Sequence, residues 1–158
     1  MMSYILQDWE ANRGNRKGQG VLVLFRAAQW CRQAELWWLA LPYLIFYRVF
    51  VEWILGIELR FKTQIGPGLK LFHGQALVVN ERTIIGERCT LRNSTSIGSK
   101  EEGGGCPTIG NDVSIGSNVV MIGPIEVGNH AVIGAGSVVV KDVPAGTVVA
   151  GNPAKLIR

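Results

Sequence analysis

Histidine is the side chain whose unperturbed charge changes near neutral pH, and this chain has two, His73 and His130. His73 stands in the stretch LKLFHGQALVV, residues 69–79, where an otherwise regular repeat slips. A neutral imidazole there suits removal of a proton from a hydroxyl, which is a weak nucleophile near neutral pH and needs a base. His130, in GNHAV, falls at a corner of the repeat and reads as a surface residue. Cysteine chemistry has less support. Cys31, Cys89 and Cys106 are odd in number and form no CxxC pair, so neither a disulfide framework nor a structural zinc site is expected, and a reducing compartment is. Cys106 reads as a small loop residue, with an acyl-carrier role as the alternative.

The elements that must position His73 follow from a change in composition. All 13 aromatic residues lie at or before Phe72, and 16 of the 20 glycines lie after Gly56. Two kinds of structure are expected, a helical, aromatic-rich region over 1–57 and a second region over 58–158. In the second, aliphatic residues recur every six positions: Ile109, Ile115, Met121, Val127, Ile133 and Val139, preceded by Val79, Ile85, Leu91 and Ile97 and by Leu59, Ile65 and Leu71. Val113, Val119, Ile125, Ala131 and Ser137 stand two positions ahead of their aliphatic partners. A period of six is neither helical nor a simple alternation. It marks a parallel β-helix, mainly β, in which three hexads make one triangular coil and coils stack about 4.8 Å apart. Gly, Asn and Asp, such as Asn111, Asn118 and Asn129, suit the corners.

The beat breaks twice. Leu71 to Val79 is eight residues, around His73-Gly74, and Ile97 to Ile109 is twelve, with GSKEEGGGCPT (98–108) between them. A polar, glycine-rich segment of that kind is expected to project from the wall.

The run IGNDVSIGSNVVMIGPIEVGNHAVIGAGSVVVKDVPAGTVVAGNPAKLIR resembles the end of the left-handed β-helix acyltransferases of the hexapeptide-repeat family. The resemblance covers residues 56–158. It implies the left hand of the coil, against the general right-handed rule. It also implies acetyl-CoA as donor, lying along a groove between subunits of a homotrimer. Gly116, Gly134, Ala135, Gly136, Lys141, Pro153, Ala154 and Lys155, with Arg158 beyond them, are the implied donor contacts, the lysines meeting phosphates. Pro153-Ala154 would cap the last coil. Within the family the serine acetyltransferase branch carries an acid, a histidine fifteen residues on, and an extended loop. Glu58 and His73 match that spacing, which implies His73 as general base and Glu58 as the carboxylate that orients it. A backbone N–H would hold the thioester oxyanion. Metal-dependent members of this fold need three histidines, so no metal is expected here.

The acceptor side departs from that branch. Phe72 stands where an aspartate precedes the histidine, and Gly105-Cys106 replaces an Arg-His pair in the loop. A site without those charges should reject a zwitterion. Phe72, Asn80 and Cys106 are therefore the candidate acceptor residues for a different substrate. The short helical region, with DWEANRGNRKGQ before LFRAAQW, is similar to that of colanic acid and exopolysaccharide acetyltransferases, which implies O-acetyl transfer to a sugar hydroxyl. Serine O-acetyl transfer and a non-catalytic assembly role are the alternatives.

Two helices are expected in the first region, over 20–40 and 42–56, with Pro42 opening the second and Gly56 closing it. In the first, Arg26, Arg32 and Glu35 stand between apolar bands. In the second, Arg48 and Glu52 are four apart and able to pair. The charge-free run Leu36–Tyr47 is twelve residues, short of the roughly 20 a membrane span needs. Three readings are ranked in order: a helix packed on the coil or on a neighbouring subunit, an interfacial helix with Trp37, Trp38, Tyr43, Tyr47 and Trp53 at a membrane surface, and last a true span. No signal peptide is evident, so a cytoplasmic protein, including one at the inner face of the membrane, is expected. The net charge of +4 favours an anionic partner, while the absence of nucleic-acid motifs argues against DNA or RNA.

Overall fold

In the computed structural model, which describes residues 1–33 and 37–158, the six-residue beat becomes a parallel β-helix of three faces. The first face holds β1 (Ile57–Leu59), β4 (Leu77–Val79), β7 (Ser96–Gly98), β10 (Val120–Ile122) and β13 (Val138–Val139). The second holds β2 (Gln64–Ile65), β5 (Ile84–Ile85), β8 (Thr108–Ile109) and β11 (Glu126–Val127). The third holds β3 (Lys70–Phe72), β6 (Thr90–Arg92), β9 (Ser114–Ile115), β12 (Val132–Ile133), β14 (Val148–Ala150) and, antiparallel at its end, β15 (Lys155–Leu156).

Every aliphatic position of the repeat points inward and is buried, and so are Val113, Val119, Ile125, Ala131 and Ser137 two places ahead. Cys89, Thr63, Thr83 and Thr95 occupy equivalent inward positions and are buried as well. Burial pushes the Cys89 thiol up from its usual range, so this cysteine is a filler of the prism and not a nucleophile.

Register locates the two breaks. Leu59 pairs with Val79, 20 residues on, where three hexads give 18, and the surplus is the corner 73–76. Ile97 pairs with Met121, 24 residues on, and the surplus is the segment between β7 and β8. That segment lies outside the wall but is folded back on it. Arg82 Nη1 donates to the Gly103 carbonyl at 2.9 Å. A Cβ on Gly105 would meet Pro124 Cβ at 2.6 Å.

Two of the three corner lines use left-handed backbone. One runs through Gly68, Arg88, Asp112, His130 and Gly146, the other through Ala76, Ser94, Asn118 and Gly136, all with φ between 53° and 78°. Asparagines bind coil to coil, Asn111 Oδ1 accepting from Glu87 N and Asn129 Oδ1 from Asn111 N, both at 2.8 Å. Along the first of these lines Arg88 forms a two-pronged pair with Asp112 at 2.7 and 2.8 Å.

A solenoid exposes unpaired backbone at its ends. Here the amino-terminal residues close the first end. They form α1 (Met2–Ile5), a 3₁₀ turn (Glu10–Asn12), α2 (Arg16–Gln33), a 3₁₀ turn (Trp37–Ala40), α3 (Leu41–Tyr47) and a π-helical continuation (Arg48–Ile54). Their polar side chains act as a missing coil. On the β3 edge Asp8 accepts from Leu69 N at 2.9 Å, Asn12 accepts from Leu71 N at 2.9 Å and donates to Leu69 O at 2.7 Å, and Asn15 donates to Leu71 O at 2.6 Å. On the β2 side Arg26 donates to Ile65 O and Gly66 O, and Gln29 donates to Thr63 O. Beside β1, the Tyr47 hydroxyl donates to Leu59 O at 2.6 Å.

Arg26 adds to the sequence reading. Standing between apolar bands, it is fully buried and paired with buried Asp8 at 2.7 Å, a partner that sequence reasoning did not name. The first helix also begins at Arg16, four residues before the expected start. Glu35 and Leu36 lie outside the described residues. The second helix opens at Leu41-Pro42 and stops at Gly56, φ +64°. Arg48 and Glu52 pair at 3.4 Å, with Arg60 also on Glu52 at 3.7 Å. Leu44, Tyr47 and Val51 bury one face of this helix, while Leu41, Ile45, Phe46, Trp53 and Ile54 are exposed on the rest. Among the described residues no helix is long and apolar enough to cross a membrane.

Candidate active site

The two surplus residues between β3 and β4 make the corner that carries His73. Its backbone is left-handed, φ +63°, and the imidazole is exposed. Histidine tolerates this region better than most side chains, but the conformation is uncommon outside glycine. Gly74 follows at φ +73° and turns inward, where an added Cβ would stand 3.0 Å from Ile57 Cδ1. The tucked Gly74 and the hydrogen bond from Ala76 N to Gly56 O, 2.8 Å, anchor the corner and push His73 outward.

Phe72 ends β3 beside it, half-buried on the outer side of the third face. Glu58 is the outward residue of β1 on the first face, opposite Val78. Among the described residues of one chain no hydrogen bond or ion pair joins Glu58 to His73. Asn80 stands at the far edge of the first face, where its N donates to Ile97 O and its Oδ1 accepts from Arg82 N. The segment holding half-exposed Cys106 emerges from that same edge, one coil later. The fold thus brings Phe72 to His73, and Asn80 to the Cys106 segment. The two groups flank opposite edges of the first face.

His73 begins a corner line that ascends through 93–95 and 116–119 to 134–137, each step closed by a backbone hydrogen bond: Ser94 N to Gln75 O, Asn118 N to Asn93 O, Gly136 N to Ser117 O. Three steps of about 4.8 Å put the last corner about 14 Å from the histidine. Gly134, Ala135 and Gly136 form that corner. Gly136, φ +71°, has open space around it. Gly134 and Gly116 are glycine for a packing reason: a Cβ would meet Ala150 Cβ at 2.6 Å and Ala135 N at 2.5 Å. Gly116 is buried beneath the next coil and presents no surface.

The carboxyl-terminal residues fold over this corner. Gly151 N donates to Ser137 Oγ at 3.2 Å and Ala154 N to Val138 O at 2.8 Å. Lys141, Pro153, Ala154 and Lys155 line one cavity of about 260 Å³ there, with both lysines exposed. A larger groove, about 980 Å³, runs between Lys100 of the 98–108 segment and Lys141. His130 is remote, at the opposite corner line, 3.9 Å from Asp112. The Arg88 guanidinium first, and His130 least, hold the Asp112 carboxyl below its usual range. Sequence reasoning missed Lys70 and Arg92, which frame Phe72; their places two residues before it and one coil above it were the available signal.

Comparison with known proteins agrees with this geometry. Residues 106–141 match the family described as bacterial transferase hexapeptide (six repeats). The chain is 33% identical over 114 residues, 67% of its length, to a putative colanic acid biosynthesis acetyltransferase of Escherichia coli K12, covering 69% of that protein. It is 37% identical over 109 residues, 68% of its length, to serine acetyltransferase 4 of Arabidopsis thaliana, of which it covers 31%. Among solved structures, the soybean serine acetyltransferase apoenzyme aligns at TM-score 0.83 and 29% identity over 98% of this chain and 68% of that one. A serine acetyltransferase in complex with CoA aligns at TM-score 0.80 and 25% identity, again over 98% and 68%. A six-residue solenoid with these relatives places the chain in the bacterial hexapeptide-repeat transferase family, as an acetyltransferase.

Proposed function

We propose that this acetyltransferase moves an acetyl group from acetyl-CoA to a hydroxyl of a sugar in polysaccharide assembly, with His73 as the base. The observation that carries it is the corner 72–74: an exposed imidazole on a left-handed residue, beside Phe72 instead of a carboxylate. A neutral His73 accepts the hydroxyl proton as the oxygen attacks the thioester carbonyl, then returns it to the departing thiolate. Glu58 is assigned to steady the imidazolium once the assembled site brings it within reach. The donor is assigned to the corner line ending at Gly134–Gly136, with Lys141 and Lys155 on its phosphates and Pro153-Ala154 closing the end. Phe72, Asn80 and Cys106 are assigned to the acceptor side. They flank opposite edges of one face, which fits a site shared between subunits, and the assembly is assigned as a homotrimer. Residues 1–57 serve as end cap and docking region and residues 58–158 as the chemical domain. The exposed Trp53, Ile54, Ile45 and Phe46 support contact with the inner face of the cytoplasmic membrane.

Serine O-acetyl transfer is the second reading, favoured by the serine acetyltransferase relatives. Against it stand Phe72, which offers no charge to serine's ammonium where that branch has an aspartate, and Gly105-Cys106, which lacks the Arg-His pair of its loop. CoA release measured with sugars, oligosaccharides and serine separates the two: turnover with serine and none with any sugar overturns the polysaccharide assignment.

A further inference from the structure

Phe72 stands between two cations. Lys70 is two residues earlier on β3 and leaves the same side of the strand, and Arg92 is the residue paired with Phe72 on β6. Lys70 Nζ is 4.8 Å and Arg92 Cζ 5.5 Å from the ring centroid. Arg92 is fixed by hydrogen bonds from Nη1 to Ile115 O at 2.8 Å and Ser114 Oγ at 3.3 Å. Five other cations are neutralised, Arg26 by Asp8, Arg48 and Arg60 by Glu52, Lys62 by Glu81, Arg88 by Glu87 and Asp112; what sets Lys70 and Arg92 apart from the remaining unpaired cations is that both lie against one ring. Among the described residues Lys70 and Arg92 have no carboxylate within ion-pair distance. The ring attracts both cations through its negative face, which gathers the two charges without cancelling them. An anion seated against both does cancel them, with charge-assisted hydrogen bonds.

We propose that Lys70 and Arg92, held on Phe72, are the specificity site for an anionic acceptor sugar, binding its carboxylate or phosphate while a hydroxyl of the same sugar faces His73. Thr90, paired with Lys70, and Ser114, paired with Thr90, add hydroxyls on the same face for neutral hydrogen bonds. This rests on His73 marking the acceptor side. It extends that reading by naming the charge of the substrate, which neither the repeat nor the base specifies.

The test uses the full chain and three probes of similar ring: glucuronate, glucose 1-phosphate and uncharged glucose. CoA release at saturating acetyl-CoA gives kcat/KM for each, and calorimetric titration gives binding independently of turnover. The expected result is at least a tenfold advantage of one anionic probe over glucose in binding, the better anion telling uronate from phosphate. That advantage falls to within twofold in Lys70→Met/Arg92→Gln and partway in Lys70→Met alone, through acceptor KM with acetyl-CoA KM unchanged. Equal binding of charged and uncharged probes by the wild-type protein overturns the proposal. So does an advantage that survives both substitutions, or a rise in acetyl-CoA KM in place of acceptor KM. His73→Ala separates the two readings: it keeps the anion preference in binding while losing turnover, whereas full turnover there removes the base and leaves the anion site standing.

Discussion

His73 shows how a residue is displayed by a flaw in a pattern. Two additional residues put it on a left-handed corner, and Gly74 fills the space beneath against Ile57. His73→Ala is expected to lower kcat by about 10²–10⁴-fold, the usual worth of a general base, with unchanged circular dichroism and melting temperature. Retained full rate would contradict the assignment. Tyr47 makes a separate prediction. Burial, then the Glu52 carboxylate, then Tyr43, push its phenol well above the usual value of about 10. The neutral form is favoured in the folded state, so its stabilisation is complete below pH 10 and is lost as pH rises through the folded value. Thermal melts from pH 8 to 12 should fall more steeply for wild type than for Tyr47→Phe. His73 was readable in the sequence because the repeat supplied a ruler. The Lys70–Phe72–Arg92 cluster was harder to read: the repeat puts the three residues side by side, but does not say that the outward side chains turn onto the ring.

Among the elements, the amino-terminal cap is where sequence and structure diverge most. DWEANRGNRKGQ looked like a mark of relatedness, yet its Asp8, Asn12 and Asn15 serve as a substitute strand partner for β3. Arg26 could not be recognised as buried, because its partner Asp8 is 18 residues away in an irregular segment. Removing one member of a buried ion pair costs about 3–5 kcal/mol. Asp8→Ala should therefore lower the urea midpoint sharply, while the exposed Lys62→Ala should leave it nearly unchanged. Gly134→Ala tests the coil stacking: the added methyl 2.6 Å from Ala150 Cβ should cost about 1–3 kcal/mol. A neutral result would mean the glycine is there for a ligand alone.

For the whole molecule, the sequence made the solenoid legible because a period of six admits few other architectures. It did not reveal that the cap and the coils share one hydrophobic core running from Val21 to Val149. It also left open what covers the exposed apolar side of 41–54. Sedimentation with phosphatidylglycerol vesicles should retain the wild-type chain, and serine at Trp53 and Ile54 should reduce retention several-fold. Equal sedimentation of both proteins would assign that surface to protein contacts instead. The proposed homotrimer predicts a sedimentation mass three times 17.2 kDa, and a mass of one chain would contradict it. The central claim, acetyl transfer to a sugar by an imidazole beside Phe72, is tested most directly by CoA release from acetyl-CoA with sugar acceptors and with serine, in wild type and His73→Ala. The account predicts release with a sugar acceptor, none above background with serine, and loss of the sugar-dependent rate in the variant. Serine-dependent release with no sugar-dependent rate would contradict it.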